Sequence, residues 1–198
     1  KVIYKEIIKN KEYDVFCSNE VIINTKNKEK KIWRYGPYKK NFYNFLLSNG
    51  NCLSTSASVV NKKILELKKI KFSEKKNLVT AEDYDFFLKI AFHGYKFKFL
   101  KNILGEHLMH PKSMSNNFQL HRNSIKLVIT KHTNLIYKKN IFKQFFLLRN
   151  KFIIYLGDLK YYLVIKKDYF RSFYISFFLI LFYPDKTLKF FLKKIKKY

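Results

Sequence analysis

Glycine and proline are scarce, at five and three among 198 residues. That excludes collagen-like repeats and low-complexity linkers. Cysteine is scarcer, with only Cys17 and Cys52, too few for a disulfide framework or a four-thiolate zinc site. The two read as reduced thiols of a cytosolic chain. Acidic residues number 14 against 41 basic ones, and only Arg34, Arg122, Arg149 and Arg171 are arginine. Base-reading nucleic-acid binders favour arginine, whose planar fork pairs bidentately with guanine and phosphate. The charge therefore does not point to a specific nucleic-acid partner, and the abundance of Lys, Asn, Ile, Phe and Tyr also follows from an AT-rich genome. Long hydrophobic runs are missing too. The longest, FYISFFLILFY at 173–183, has eleven residues, where a spanning helix takes about 20. The chain opens on Lys1 with no signal-peptide core, so it is expected to continue a longer protein whose start lies upstream.

What is present is core material and positive charge. Hydrophobic residues make up 47%, aromatics 19%, and the formal net charge is +27. The charge is uneven. Residues 1–110 hold 22 basic and 11 acidic residues, whereas 111–198 hold 19 basic and three acidic ones, Asp158, Asp168 and Asp185. Carboxylate chemistry is therefore expected in the first 110 residues. Such a surplus attracts anionic lipid, phosphate-bearing substrates or nucleic acid.

Periodicity divides the chain into an α/β part, 1–117, and a helical, basic and aromatic tail, 118–198. In the first part a helix ends near residue 13, and DVFCSNEVIIN reads as one or two strand segments. TKNKEKK is a charged turn and WRYGP a loop. A helix over 38–49 stops at Asn49-Gly50-Asn51. CLSTSASVV alternates as a half-buried strand, and Asn61 caps a short helix. Thr80 is expected to cap AEDYDFFLKIAFHG, with Asp83 in a capping-box position and Gly94 as the stop. Tyr95–Leu100 and Ile103–His110 read as two extended pieces before a polar loop at 111–117. Tail helices are expected near 119–139, 141–156, 158–182 and 185–197, broken at Gly157 and Pro184.

Four elements recur in a recognisable order: Leu53-Ser54-Thr55-Ser56-Ala57-Ser58; then Glu82-Asp83-Tyr84-Asp85-Phe86-Phe87-Leu88 and Gly94; then a strand; then His107-Leu108-Met109-His110-Pro111-Lys112-Ser113-Met114-Ser115. Over residues 14–117 this resembles the C-terminal half of the catalytic domain of family 2 glycosyltransferases, which have the GT-A fold. The resemblance implies an incomplete GT-A domain that lacks its N-terminal nucleotide-binding half and is followed by the helical tail. It implies transfer, with inversion, from a nucleotide-diphosphate sugar to a saccharide or lipid-linked acceptor. The product would be bacterial cell-surface polysaccharide or lipooligosaccharide. Asp83 would be the general base that deprotonates the acceptor hydroxyl, supported by Glu82. A carboxylate at a helix N-terminus is kept ionised by the helix dipole, and a positioned base contributes about 10²–10⁴-fold in rate. Ser54, Thr55 and Ser56 would line the acceptor side, and Trp33 would stack on a sugar ring or simply pack. His110 would lie near a Mg²⁺ or Mn²⁺ ion, imidazole suiting Mn²⁺. The main Asp-x-Asp ligands of that ion are expected in the missing half. Asp83-Tyr84-Asp85 fits Asp-x-Asp literally but belongs to the helix start. His121 and His132 show no partner pattern.

Without its donor half the chain is expected to be inactive alone. The tail runs FFLILFY and FFLKKIKKY suit an anionic membrane surface, which would place the protein in the cytoplasm, peripheral on the inner face of the plasma membrane. The alternative reading is a non-catalytic basic module that docks on anionic membrane or nucleic acid.

Overall fold

The computed structural model describes residues 1–110, 113, 117–137 and 143–195. Pro111, Lys112, Met114, Ser115 and Asn116 of the expected polar loop lie outside the described residues, as do 138–142 and the last residues of the basic terminal run. The protein is mixed α/β and forms two compact units, Lys1–Ser124 and a second from Ile125 on.

In the first unit, helix α1 (Val2–Lys9) leads to the central strand β1 (Val15–Asn24). The short strand β2 (Lys30–Trp33) folds back antiparallel on its second half, pairing Trp33 with Glu20. Helix α2 (Phe42–Asn49) follows, then β3 (Ser58–Val60), antiparallel to the first half of β1. Helix α3 (Lys62–Leu67) starts where the Asn61 side chain accepts from Lys63 N, as expected of a cap. Helix α4 (Glu82–Phe92) then crosses to β4 (Phe97–Met109), which runs parallel to β1 along its other edge. The result is a four-stranded mixed sheet.

The core lies between this sheet and helices α2 and α4. Phe42 of α2 packs on Phe97 and Phe99 of β4. Tyr84, Phe87, Leu88 and Ile90 of α4 are fully buried, and the Tyr84 hydroxyl donates to Leu46 O at 2.8 Å. Three acidic residues, Glu82, Asp83 and Asp85, sit in the first turn of α4, where the helix dipole favours them.

Several expected boundaries move. The charged turn gives way at Lys30 to β2, an exposed strand formed by pairing alone. Of CLSTSASVV only Ser58–Val60 is strand, because the chain turns over residues 55–57. The two extended pieces after Gly94 are one continuous strand, β4. Thr80 does not cap α4. Ala81 occupies that position, and Thr80 holds φ +77°, a strained conformation for a β-branched residue.

The division between units falls inside helix α5 (Phe118–Ile136). Helices α6 (Lys143–Asn150), α7 (Phe152–Lys160), α8 (Tyr169–Phe182) and α9 (Pro184–Ile195) follow, with a π-helical turn at Tyr161–Lys166. Gly157 does not break the chain but sits within α7, and Pro184 opens α9, where its fixed φ and missing N–H suit the first helical position. Phe152, Leu179 and Tyr183 centre the core of this unit, packed by Leu148, Tyr155, Ile175 and Phe178. Tyr183 donates its hydroxyl to Leu148 O at 2.6 Å. Lys186 lies over the Phe152 ring and donates to Arg149 O at 2.8 Å.

Burial, and then the Arg149 charge, lower the Lys186 pKa from 10.5 to about 8. Below pH 8 the ammonium is charged in both folded and unfolded chains. Between 8 and 10.5 the folded state releases the proton first, so stability rises with pH. Above about pH 10 this gain is opposed, because burial raises the Tyr183 hydroxyl pKa and the unfolded phenol ionises first. Thermal unfolding followed by circular dichroism should show a midpoint that climbs from pH 8 toward 10, and Lys186→Met should make that climb shallower.

Candidate functional site

Six consecutive residues of β1, Val15 to Glu20, are buried. The last three are polar, and each meets a specific partner. Ser18 N and Oγ both donate to Ala57 O. The pairing of β1 with β4 slips on either side of Asn19, which leaves ladder groups without strand partners, as at any bulge. Asn19 fills that gap: Nδ2 donates to Lys101 O at 3.0 Å, and Oδ1 accepts from Tyr35 N at 3.1 Å.

Glu20 is 1% exposed. Its Oε1 accepts from Ser56 Oγ at 2.6 Å and its Oε2 from the Tyr35 hydroxyl at 2.7 Å. Ser54 Oγ lies 2.8 Å from Ser56 Oγ. Burial pushes the Glu20 carboxyl pKa up, but the hydroxyls of Ser56, Tyr35 and Ser54 and the charge of His107 outweigh it, leaving the group below its ordinary value. Room for the carboxylate comes from Gly105 on β4, where a Cβ would sit 3.4 Å from Oε1. Gly36, at φ +91°, brings the loop after β2 against the Phe99 ring, and a Cβ there would stand 2.8 Å from it.

Next to this network, backbone contacts and one side-chain bond run on toward Asp83. Gly36 N donates to Cys52 O, Leu53 N donates to Asn51 Oδ1, and Asn51 Nδ2 donates to Asp83 Oδ2 at 3.0 Å. Asp83 Oδ1 accepts from Tyr84 N at 2.7 Å. Burial raises the Asp83 pKa, Tyr84 N–H lowers it, Glu82 raises it and His121 lowers it, with a net shift upward. Beside it, Glu82 Oε2 is buried and meets no donor among the described residues. A buried oxygen of this kind calls for an explanation such as a ligand donor. His121, on the first turn of α5, sets its Nδ1 3.0 Å from Thr80 O and 3.2 Å from Thr80 Oγ1. Ser124 donates to Val79 O at 2.7 Å. These contacts hold the strained residue that leads into α4.

The expected site residues are thus distributed. Asp83 and Glu82 open α4. Ser54 and Ser56 lie in the turn before β3 and are tied to Glu20, not to Asp83, and Thr55 between them is exposed. Trp33 ends β2 opposite Glu20 with 45% exposure, two residues before Tyr35. His110 follows β4 and its carbonyl accepts from Ser113 N. Among the described residues no group of three or more His, Cys, Asp or Glu side chains can hold a metal ion. Sequence reasoning missed Glu20 and His121. The only local signal for Glu20 was an acidic residue in the middle of an otherwise buried strand.

Because the Glu20 pKa is depressed in the folded chain, its contribution is present above pH 4.5 and is lost as pH falls through the folded value. Glu20→Gln should lower stability at pH 7 by about 1–2 kcal/mol and flatten the acid limb, read by denaturant titration at pH 7 and pH 4. Compared with known protein families and with curated proteins, the sequence matches none.

Proposed function

We propose that the chain is the acceptor half of an inverting GT-A glycosyltransferase, with Asp83 as the general base. The observation that carries this reading is a half-buried carboxylate at the mouth of a helix. It is aimed by Asn51, which stands three residues before Ser54 in the chain, and is raised in pKa by burial. A base must accept a proton and still be ionised at working pH, and a carboxylate with a raised pKa meets both needs better than an ordinary one. Glu82 offers its unmatched Oε2 to an acceptor hydroxyl. Glu20 acts at one remove: it holds the Ser54–Ser56 turn and Tyr35, and so the acceptor side, in place. Trp33 presents an exposed ring for a sugar face.

The donor in this reading is a nucleotide-diphosphate sugar, and a Mg²⁺ or Mn²⁺ ion would neutralise its leaving diphosphate. The acceptor is a saccharide or a lipid-linked sugar. Work on a lipid-linked acceptor fits a cytoplasmic protein peripheral to the inner face of the plasma membrane. Among the described residues no helix is long and apolar enough to cross a bilayer, and the net charge of +27 suits an anionic surface.

In the transferase with its donor half supplied, Asp83→Asn should cut kcat by about 10²–10⁴-fold and leave donor binding intact. The rising limb of kcat/KM against pH should lie above the ordinary aspartate value of 3.8, in line with the upward shift of Asp83. Near-normal turnover of the variant removes Asp83 from the role.

A further inference from the structure

Helix α8 is apolar on two opposite sides. One side, with Ile175, Phe178 and Leu179, packs into the core of the second unit. The other carries Phe170, then Phe173 with Tyr174, then Phe177 and Leu181, one helical turn apart along one face. Phe170 is 84% exposed, Phe173 74% and Phe177 58%. The preceding π-helical turn adds exposed Leu163, Val164 and Ile165. Apolar stretches of this extent are rare on proteins that meet only water.

We propose that this outer face of α8 lies in the boundary between headgroups and acyl chains of an anionic bilayer, parallel to the membrane plane. The proposal deepens the peripheral attachment proposed above and rests on it, but needs no sugar transfer. The helix has 14 residues, about 21 Å at 1.5 Å per residue, and a bilayer core is about 30 Å thick, so it lies on the membrane and does not span it. Charge selects the lipid. From Ile125 to the end the sequence holds 17 basic residues against three acidic ones. At the start of α8, Lys166 stands 6.0 Å over the Tyr161 ring and Arg171 5.4 Å over the Tyr162 ring. Cations set beside tyrosines at the margin of an apolar stripe match the interfacial belt of a membrane. A second copy of the chain would bring the same positive charge against this face, whereas anionic headgroups neutralise it.

The test is co-sedimentation of the full chain with vesicles of phosphatidylcholine and phosphatidylglycerol. Phe173→Ser with Phe177→Ser, both exposed and outside the core, should weaken binding at least about tenfold while circular dichroism stays unchanged. In a Trp33→Phe background, the indole introduced by Phe177→Trp should shift blue on adding these vesicles and be quenched by brominated acyl chains. If the double variant binds as the parent does, with binding that fades in salt, charge alone attaches the protein; α8 insertion is then overturned while peripheral attachment stands. Absence of any vesicle binding overturns both. A blue shift that appears without vesicles and grows with protein concentration assigns the face to a second copy, and displacement of the vesicle signal by an oligonucleotide assigns it to nucleic acid; either overturns the proposal.

Discussion

A carboxylate buried in the middle of a sheet sets the terms for the segments around it. An ionised group in a low-dielectric interior is tolerated only with its oxygens satisfied. Glu20 draws one donor from Tyr35, in the loop after β2, and another from Ser56, in the turn before β3. Those two segments are then bound to each other where Gly36 N meets Cys52 O. Cys52 adjoins Asn51, which reaches Asp83. The placement of the first turn of α4 is thus tied, through short local steps, to a charge on β1. A strand of alternating polarity with one wet face would not have needed this arrangement. β1 is covered on both faces through Glu20, so its polar residues had to find partners inside the protein.

The chemistry at Asp83 is a balance of opposed influences. Burial and the neighbouring Glu82 charge favour its neutral form, while Tyr84 N–H and His121 favour the ionised one. Burial wins. The two charged neighbours come from different elements, Glu82 beside it on α4 and His121 on α5. Thr80 is where they are coordinated, since His121 grips the residue that leads into α4. Strain in a non-glycine residue at φ +77° persists only where surrounding contacts hold it, and the His121 and Ser124 bonds are such contacts.

How much of this was legible in the sequence follows from how local each feature is. β1, α2, α3 and α4 were readable because apolar spacing and stop signals lie within the segment itself, and the Asn61 cap needs only Lys63 N. β2 was not, because all four of its residues are exposed and only its pairing with β1 makes it a strand. Ser54 to Ala57 imitated strand alternation, yet the spacing reflects a turn whose Ser56 hydroxyl serves a carboxylate 36 residues away. Asp83 and Glu82 announced themselves at a helix start. Glu20 and His121 did not, since each is defined by partners distant in the chain: Tyr35 and Ser56 for one, Thr80, 41 residues earlier, for the other. In the tail, Gly157 suggested a break, but a single glycine inside an otherwise good helix weakens it by only about 1 kcal/mol, which packing around Phe152 and Tyr155 offsets.

The two units handle their surfaces differently. The first closes its polar residues into an internal network. The second keeps its core small, around Phe152, Leu179 and Tyr183, and holds a helix whose solvent side is as apolar as its packed side. Folding alone does not require that outer face, because lysines there would leave the core of α7 and α8 untouched. The sequence does the reverse: α8 has a single charged residue, Arg171, in 14 positions, although basic residues are plentiful on either side of it. Charge has been moved to the flanks and rings to the face. That segregation is unfavourable in water, where exposed aromatic area is penalised. It becomes favourable at a boundary that is apolar on one side and negatively charged on the other.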